Sequence, residues 1–435
     1  MKIIKRLLGH ELISGSFYIF LGSFSANILA FFLNLFFARS LSYSDYAIFA
    51  SLLSVITLAS IPSGSINAIV VKFATNYFAK EENDKLKNLY LLFFKFILGL
   101  SIGVFLLFCI LSFLIKDYLH IDNIWYVVVT GLTVSVFYLN TLNTAFLQSL
   151  LKFKFISVMS VFGGIIKLII GIVLVLLGFR AFAGIWSIFF MMIGMFLIAF
   201  FPLSRILSSK VKSENINLNK NQIFSYALPT FITVLFLTSF TSTDVILVKH
   251  FFNPHLAGFY AGLSLLGKVI FYFTLPIPMV MFPLLVKRHA SGIGFNRIFY
   301  LALILVLIPS AGITMFYFIR PNFVINLFLG GRDYLYVAKY LGLFGLYLTI
   351  FSMVNVCVNF FLSLNKTKVL FPVFIAAVLQ IVLIYFFHTD FYQIIGVSIL
   401  VSFALLIVLF FMFFKNYGSF TNLKKTTPFI NTPIA

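Results

Sequence analysis

The sequence predicts an all-α polytopic membrane protein, with twelve transmembrane helices in two six-helix parallel-repeat lobes around a central cavity. Three observations lead there. The chain is 62% hydrophobic and 10% charged, with a mean hydropathy of +1.11, whereas a soluble chain carries roughly 45–50% apolar and about 25% charged residues. The apolar residues fall into twelve runs long enough to cross a bilayer. The connectors between them alternate between basic and nearly neutral, and the two halves of the pattern carry matching segments.

The runs cover about 12–37, 45–71, 88–115, 124–150, 155–178, 182–204, 223–248, 256–286, 296–319, 335–364, 369–387 and 391–414. Each approaches or exceeds the roughly 20 residues that a helix needs to cross the hydrocarbon. They lack the apolar/polar alternation of a lipid-facing barrel. Lys2, Lys5 and Arg6 precede the first run, but that run is too long for a cleaved signal and no small-residue cleavage site follows it. It reads as the first span.

The net charge of +20 does not mark a nucleic-acid binder, because the basic residues are not gathered in one polar domain. Of the 31 lysines and arginines, twenty-one fall on one side of the span map, among them Lys80, Lys85, Lys87, Lys152, Lys154, Lys210, Lys212, Lys287, Arg288, Lys424 and Lys425. Six fall on the other: Arg39, Lys116, Arg180, Lys249, Arg320 and Arg332. That asymmetry places both termini in the cytoplasm and the chain in a bacterial inner membrane. Trp125 and Trp186 each start a span on the outer side, where an amphipathic ring favours the interface. Cys109 and Cys357 lie in apolar runs and read as small core residues rather than a disulfide.

A cut near Asn215 divides the chain into halves of six spans, 1–214 (with a cytoplasmic linker from about 205) and 215–435. Ala47-Ile48-Phe49-Ala50 matches Gly258-Phe259-Tyr260-Ala261, 211 residues later, each opening a second span. Phe146-Leu-Gln-Ser149-Leu150-Leu-Lys152-Phe-Lys154 matches Phe360-Phe-Leu-Ser363-Leu364-Asn-Lys366-Thr-Lys368 at an offset of 214. Six is even, so the halves enter the membrane in the same direction, as parallel repeats with a substrate site between them. Such a duplicated bundle without a soluble domain reads as a transporter.

Phe37-Ala-Arg39-Ser-Leu-Ser-Tyr-Ser-Asp45-Tyr46-Ala47-Ile-Phe49 resembles the segment after the first span of polysaccharide flippases of the Wzx type. Tyr226-Ala-Leu228-Pro229, Thr243-Asp244-Val-Ile-Leu-Val and Ala257-Gly258-Phe-Tyr260-Ala261 are similar to theirs in the same order. Ser42 departs, standing where that family usually has Gly. The resemblance covers essentially the whole chain. It implies membership of the superfamily of multidrug exporters and lipid II flippases, with two six-helix lobes that alternate access to a cavity.

An ionisable group at mid-membrane costs about 2.5–3.5 kcal/mol on the insertion scale and is a functional candidate by default. Lys268 and Lys167 each lie about twelve residues into a span. Each reads either as a cavity-lining cation for an anionic headgroup or as a lysine bonded to neighbouring carbonyls and hydroxyls. For Lys268 the resemblance adds weight, since lipid II flippases carry a basic residue at about this place. Lys72 fills a slot that is often basic in the family, though topology alone explains it. Lys95 and Lys339 lie near span ends and read as snorkelling.

Asp244 is the one acidic residue inside a span. It reads as a coupling-ion or gate residue, with Arg39 in the same role, or as half of a structural ion pair. Polar stripes at helical spacing comprise Ser16, Ser23, Asn27 and Asn34 in span one, Thr230, Thr233, Thr241 and Asp244 in span seven, and Ser352, Asn355, Asn359 and Ser363 in span ten. They are either interhelical glue or cavity lining, with Asn27, Asn34, Asn355 and Asn359 as sugar-contacting candidates. Pro276, Pro278 and Pro283 remove three donors from span eight, which must bend there.

Catalysis finds no support. His10, His120, His250, His255, His289 and His388 lie in or beside connectors without metal-ligand spacing. There is no phosphate-binding G-x-x-x-x-G-K-[ST] loop, and no large outer loop of the kind that membrane glycosyltransferases use. The expectation is a flippase, with no cofactor, for polyprenyl-diphosphate-linked oligosaccharide repeat units, working among membrane lipids beside a polymerase and other glycan-assembly proteins. The alternatives are a secondary exporter of small cationic or amphipathic compounds on the same fold, and a non-transporting assembly partner.

Overall fold

The computed structural model describes residues 2–79, 82–207, 220–290, 296–364 and 366–417. Among the described residues no strand occurs. Fifteen helices follow one another: α1 Lys2–Ser40, α2 Tyr43–Ala59, α3 Pro62–Ala79, α4 Asn83–Tyr118, α5 Trp125–Ser149, α6 Phe153–Leu176, α7 Ala181–Leu207, α8 Lys220–Phe251, α9 Pro254–Thr274, α10 Pro276–Ala290, α11 Asn296–Ile319, α12 Pro321–Leu329, α13 Ala338–Ser363, α14 Leu370–Phe386 and α15 Phe391–Tyr417. Twelve stretches within them are long and apolar enough to cross a membrane, matching the twelve runs of the sequence. Their surfaces expose side chains that water would reject, such as Ile110 at 73% and Leu176 at 76%. This is a multi-pass membrane protein.

Two spans are broken. Span eight divides into α9 and α10 at Leu275, as its prolines require, because Pro276 cannot donate to the carbonyl of Tyr272. Span two divides into α2 and α3 at Ser60 and Ile61, a break that the sequence reading did not assign. Pro62 is the cause, and it stands 214 residues before Pro276. Each break is tied to a later span. Tyr138 Oη on α5 donates to the carbonyl of Ala59 at 2.7 Å, and Thr274 Oγ1 meets Ser352 Oγ on α13 at 3.1 Å. Tyr138 and Ser352 are again 214 residues apart.

The described residues form two compact units, Met1–Ala261 and Gly262–Ala435. The division falls inside α9, and the sequence cut near Asn215 lies outside the described residues. In the first unit α5 packs against α3, α4 and α7, and α6 packs against α7. In the second, α13 packs against α10, α11 and α15, and α14 packs against α15. These are the pairs that an offset of 214 makes equivalent. The spans built on α5 and α13 are the most buried of the twelve.

Local chemistry explains several ends. Ser42 caps α2: its Oγ accepts from the Asp45 amide at 3.1 Å and its hydroxyl donates to Asp45 Oδ2 at 2.6 Å. A serine here thus satisfies two groups that a glycine would leave to water. Gly330 ends α12 in the left-handed region, at φ 80°. The short α12 stands in what the sequence reading took as a plain connector before span ten.

Candidate functional site

Lys268 stands on α9 at the midpoint of the candidate span Pro254–Phe282, fourteen residues from either end (254 to 268 and 268 to 282). The back of this helix is fixed inside the second unit. Tyr317 Oη donates to the carbonyl of Leu266 at 2.9 Å. The aromatic ring of Phe344 fills the space where a Cβ on Gly267 would sit, and Ile270 lies against Gly345. With Leu266, Gly267 and Ile270 buried on that side, Lys268 is turned toward the less buried arc and is partly exposed.

Lys167 is different. It is buried on α6, 8% exposed, between Gly164, which meets Ala26 and Leu29 of α1, and Gly171, which meets Leu33 and Phe37. Three and four residues along a helix return to one face, so Lys167 belongs to the surface that α6 turns to α1. Among the described residues it makes no hydrogen bond or ion pair. Burying an unpaired charge costs several kcal/mol. A ligand anion arriving from accessible space would offset that cost.

Asp244 is 1% exposed on α8, and its Oδ2 accepts from Tyr260 Oη of α9 at 2.9 Å. Arg39 ends α1 and is exposed. Beyond them lies a cluster at the face that the charge pattern assigns to the outside. The Tyr43 ring meets His255 and Phe259 edge-on at 4.6 and 4.8 Å, and Gly258 packs directly on the carbonyl of Tyr43. His250 stacks on Tyr118 at 4.0 Å and near His120 at 5.4 Å. Its Nδ1 lies 2.6 Å from the carbonyl of Tyr118. Lys249, expected in a connector, is buried in the last turn of α8 and donates to the carbonyl of His120 at 3.4 Å. The ends of α4 and α8, and the starts of α2 and α9, are thereby joined. The sequence reading left these histidines without a role.

The polar stripes separate into two kinds. On α1, Ser23 and Asn27 are exposed, about a quarter turn from the face that meets α6, and Asn34 donates to Ala30 of its own helix at 2.8 Å. On α13, Asn359 Nδ2 bonds both the carbonyl and Oδ1 of Asn355, at 2.8 and 2.9 Å. Ser352 and Ser363 bond carbonyls of their own helix. Span ten is therefore largely satisfied from within, while the Asn27 side chain stands open. The side chains of Lys72, Ser16, Thr230 and Thr233 lie outside the described residues.

Several buried polar groups escaped the sequence reading. Asn143 receives Tyr90 Oη at 2.8 Å, and Asn140 donates to the carbonyl of Met192 at 2.9 Å. Gln380 Nε2 donates to Ser398 Oγ at 3.0 Å. Among the described residues no group of three or more His, Cys, Asp or Glu side chains is placed to hold a metal.

Comparison with solved structures finds the same architecture. The chain superposes on an inward-facing multidrug resistance MATE family transporter of the MOP superfamily with a TM-score of 0.71 at 12% identity, covering 91% of this chain and 95% of that one. It superposes on the lipid II flippase MurJ in an inward closed conformation with a TM-score of 0.68 at 18% identity, covering 92% and 87%. A MOP superfamily transporter from Pyrococcus furiosus, described as having a binding pocket of reverse polarity, gives 0.60 at 12% identity, with 96% of both chains covered. At such identities the likeness shows the fold. A search of curated protein sequences finds no match. The sequence profile of the family described as polysaccharide biosynthesis protein matches residues 36–338. Matched over most of its length and carrying the fold of the MOP transporters, this chain belongs to the polysaccharide biosynthesis protein family.

Proposed function

We propose that this protein flips polyprenyl-diphosphate-linked oligosaccharide repeat units from the cytoplasmic to the outer leaflet of a bacterial inner membrane. Both termini lie in the cytoplasm, and two six-span lobes, divided near residue 214, alternate access to a cavity between them. The observation that carries this reading is Lys268, a cation at the midpoint of a span, partly exposed on a helix whose back is locked in place. A hydrated glycan cannot cross roughly 30 Å of hydrocarbon unaided. A fixed ammonium holds the diphosphate, with Lys167 and Lys72 as further cations along its path. Asn27, Asn34, Asn355 and Asn359 contact sugar, and the polyprenyl tail stays in the bilayer. Asp244, with Arg39, couples or gates the cycle. A polymerase and other glycan-assembly membrane proteins are the expected neighbours.

The sign of the charge separates this reading from export of small cations on the same fold, since a central lysine repels them. Liposomes holding the purified protein and a polyprenyl-diphosphate oligosaccharide in one leaflet provide the test, with a lectin reading the appearance of glycan in the other. The wild type should accelerate transfer, Lys268→Ala should abolish it, and Lys268→Arg should keep part of it. Transfer by Lys268→Ala at the wild-type rate would remove this residue as the diphosphate site. A wild type that moves cationic dyes but not the glycolipid would replace the flippase reading with the exporter.

A further inference from the structure

We propose that Tyr272 is the sugar platform of the Lys268 site: its ring stacks on the first sugar bonded to the diphosphate that Lys268 holds. This inference rests on the flippase reading and adds a residue that sets what the site accepts.

Tyr272 follows Lys268 by one helical turn, so the two share a face of α9, about 6 Å apart along the axis. The opposite arc of the helix is taken by Leu266, Gly267, Ile270 and Thr274, all buried. Tyr272, in contrast, is 53% exposed, and Phe271, its neighbour in the chain, approaches it with ring centroids 6.0 Å apart. Such exposure is unusual for tyrosine at this depth. Tyrosines of membrane helices favour the two interfaces, and Tyr272 stands four residues from the midpoint of its span. A phenol hydroxyl facing hydrocarbon there would find no hydrogen-bond partner, a costly arrangement. The same ring facing a polar substrate has its hydroxyl solvated and its π-face available.

The break in span eight adds a second polar group at the same level. Pro276 has no N–H, so the carbonyl of Tyr272 has lost its regular helical donor. A sugar hydroxyl is a donor of the right kind. A cation, an aromatic face one turn away and a released carbonyl beside it match the order of groups in a sugar diphosphate. The anion meets the ammonium, the C–H face of the pyranose meets the ring, and one hydroxyl meets the carbonyl. Small cations or free lipids present no such sequence of groups.

The test compares two ligands on the full-length protein in detergent: polyprenyl diphosphate alone, and the same lipid carrying an oligosaccharide. Tyr272→Ala should weaken binding of the glycosylated lipid about fivefold to tenfold, the scale of one aromatic contact, and leave the bare diphosphate unchanged. Tyr272→Phe should bind both like the wild type, which also guards against a folding defect in the alanine variant. Lys268→Ala should weaken both ligands. Equal binding of the glycosylated lipid by wild type and Tyr272→Ala would overturn the platform, as would a loss in Tyr272→Phe equal to that in Tyr272→Ala. A wild type that binds neither ligand would instead overturn the flippase reading on which the platform depends.

Discussion

Gly258 offers a direct handle on the joint between the α1–α2 connector and the start of α9. A Cβ built there would overlap the carbonyl oxygen of Tyr43, and the Tyr43 Cα lies close behind. One of the two backbones must then retreat by about 1 Å to restore the ordinary carbon–oxygen approach of roughly 3.3 Å. Neither side yields easily, since α2 is capped at this point by Ser42 and the Tyr43 ring is held between His255 and Phe259. Overpacking of this kind costs about 1–3 kcal/mol. That cost falls on the state in which the contact is made and not on a state in which it is parted. Gly258→Ala should therefore shift the population toward the parted state by about 5–150-fold. A cysteine at Ala47, buried at 2% exposure one turn into α2, reports the shift in a background lacking Cys109 and Cys357. A membrane-impermeant maleimide should label it faster in Gly258→Ala by a factor in that range, while transport slows. Equal labelling and equal transport in the two proteins would refute the idea that this glycine sets the balance.

Three further outcomes test other parts of the reasoning. Lys167→Met should raise the unfolding midpoint in detergent, because it removes an unpaired buried charge worth on the order of 1 kcal/mol or more, yet slow glycolipid transfer. A fall in that midpoint would show that the lysine holds the α1–α6 contact together. Asp244→Asn keeps an oxygen for Tyr260 Oη to donate to, so the protein should accumulate normally while its cycle stalls with one face accessible to cysteine probes. Transfer with an unaltered dependence on the proton gradient would remove Asp244 from coupling. Reporter fusions after Lys85, Lys212, Lys287 and Lys425 should read cytoplasm and those after Asp122 and Arg332 the outer side; one reversal in a stably inserted protein breaks the topology.

What could be read from the sequence follows from the range of each force. Span number and position were legible, because the cost of polar backbone in hydrocarbon forces each apolar run into a helix whatever its neighbours. The bend in span eight was legible because three prolines act within their own helix. Pro62 acts in the same way, but a single proline inside a long apolar run was passed over. The Ser42–Asp45 cap was also readable at short range and was noticed only as a departure from the family. The cluster of Tyr43, Tyr118, His120, His250 and His255 was not legible, since its members are up to 212 residues apart and no local pattern pairs them. The central role of α5 and α13 left a faint trace: Thr130, Thr133, Asn140 and Asn143 make α5 more polar than the lipid-exposed α4 and α6. For Lys268 and Lys167 the sequence gave depth but not orientation, which depends on Gly267, Gly164 and Gly171 meeting particular partners.

The two broken spans record what the duplication has kept. At the first, a phenol on α5 reaches a main-chain oxygen; at the second, two side-chain hydroxyls meet, with the serine of α13 in the phenol's place. The bonding chemistry has been replaced while the proline, the gap and the fastened position have stayed in register. Ancestral pressure on this site thus acted on a mechanical articulation, a stiff rod cut into two arms with a pin beside the cut, and not on any particular side chain. It follows that either pin should be exchangeable for the other's chemistry, with a tyrosine at 352 or a serine at 138, more readily than either proline can be replaced by alanine.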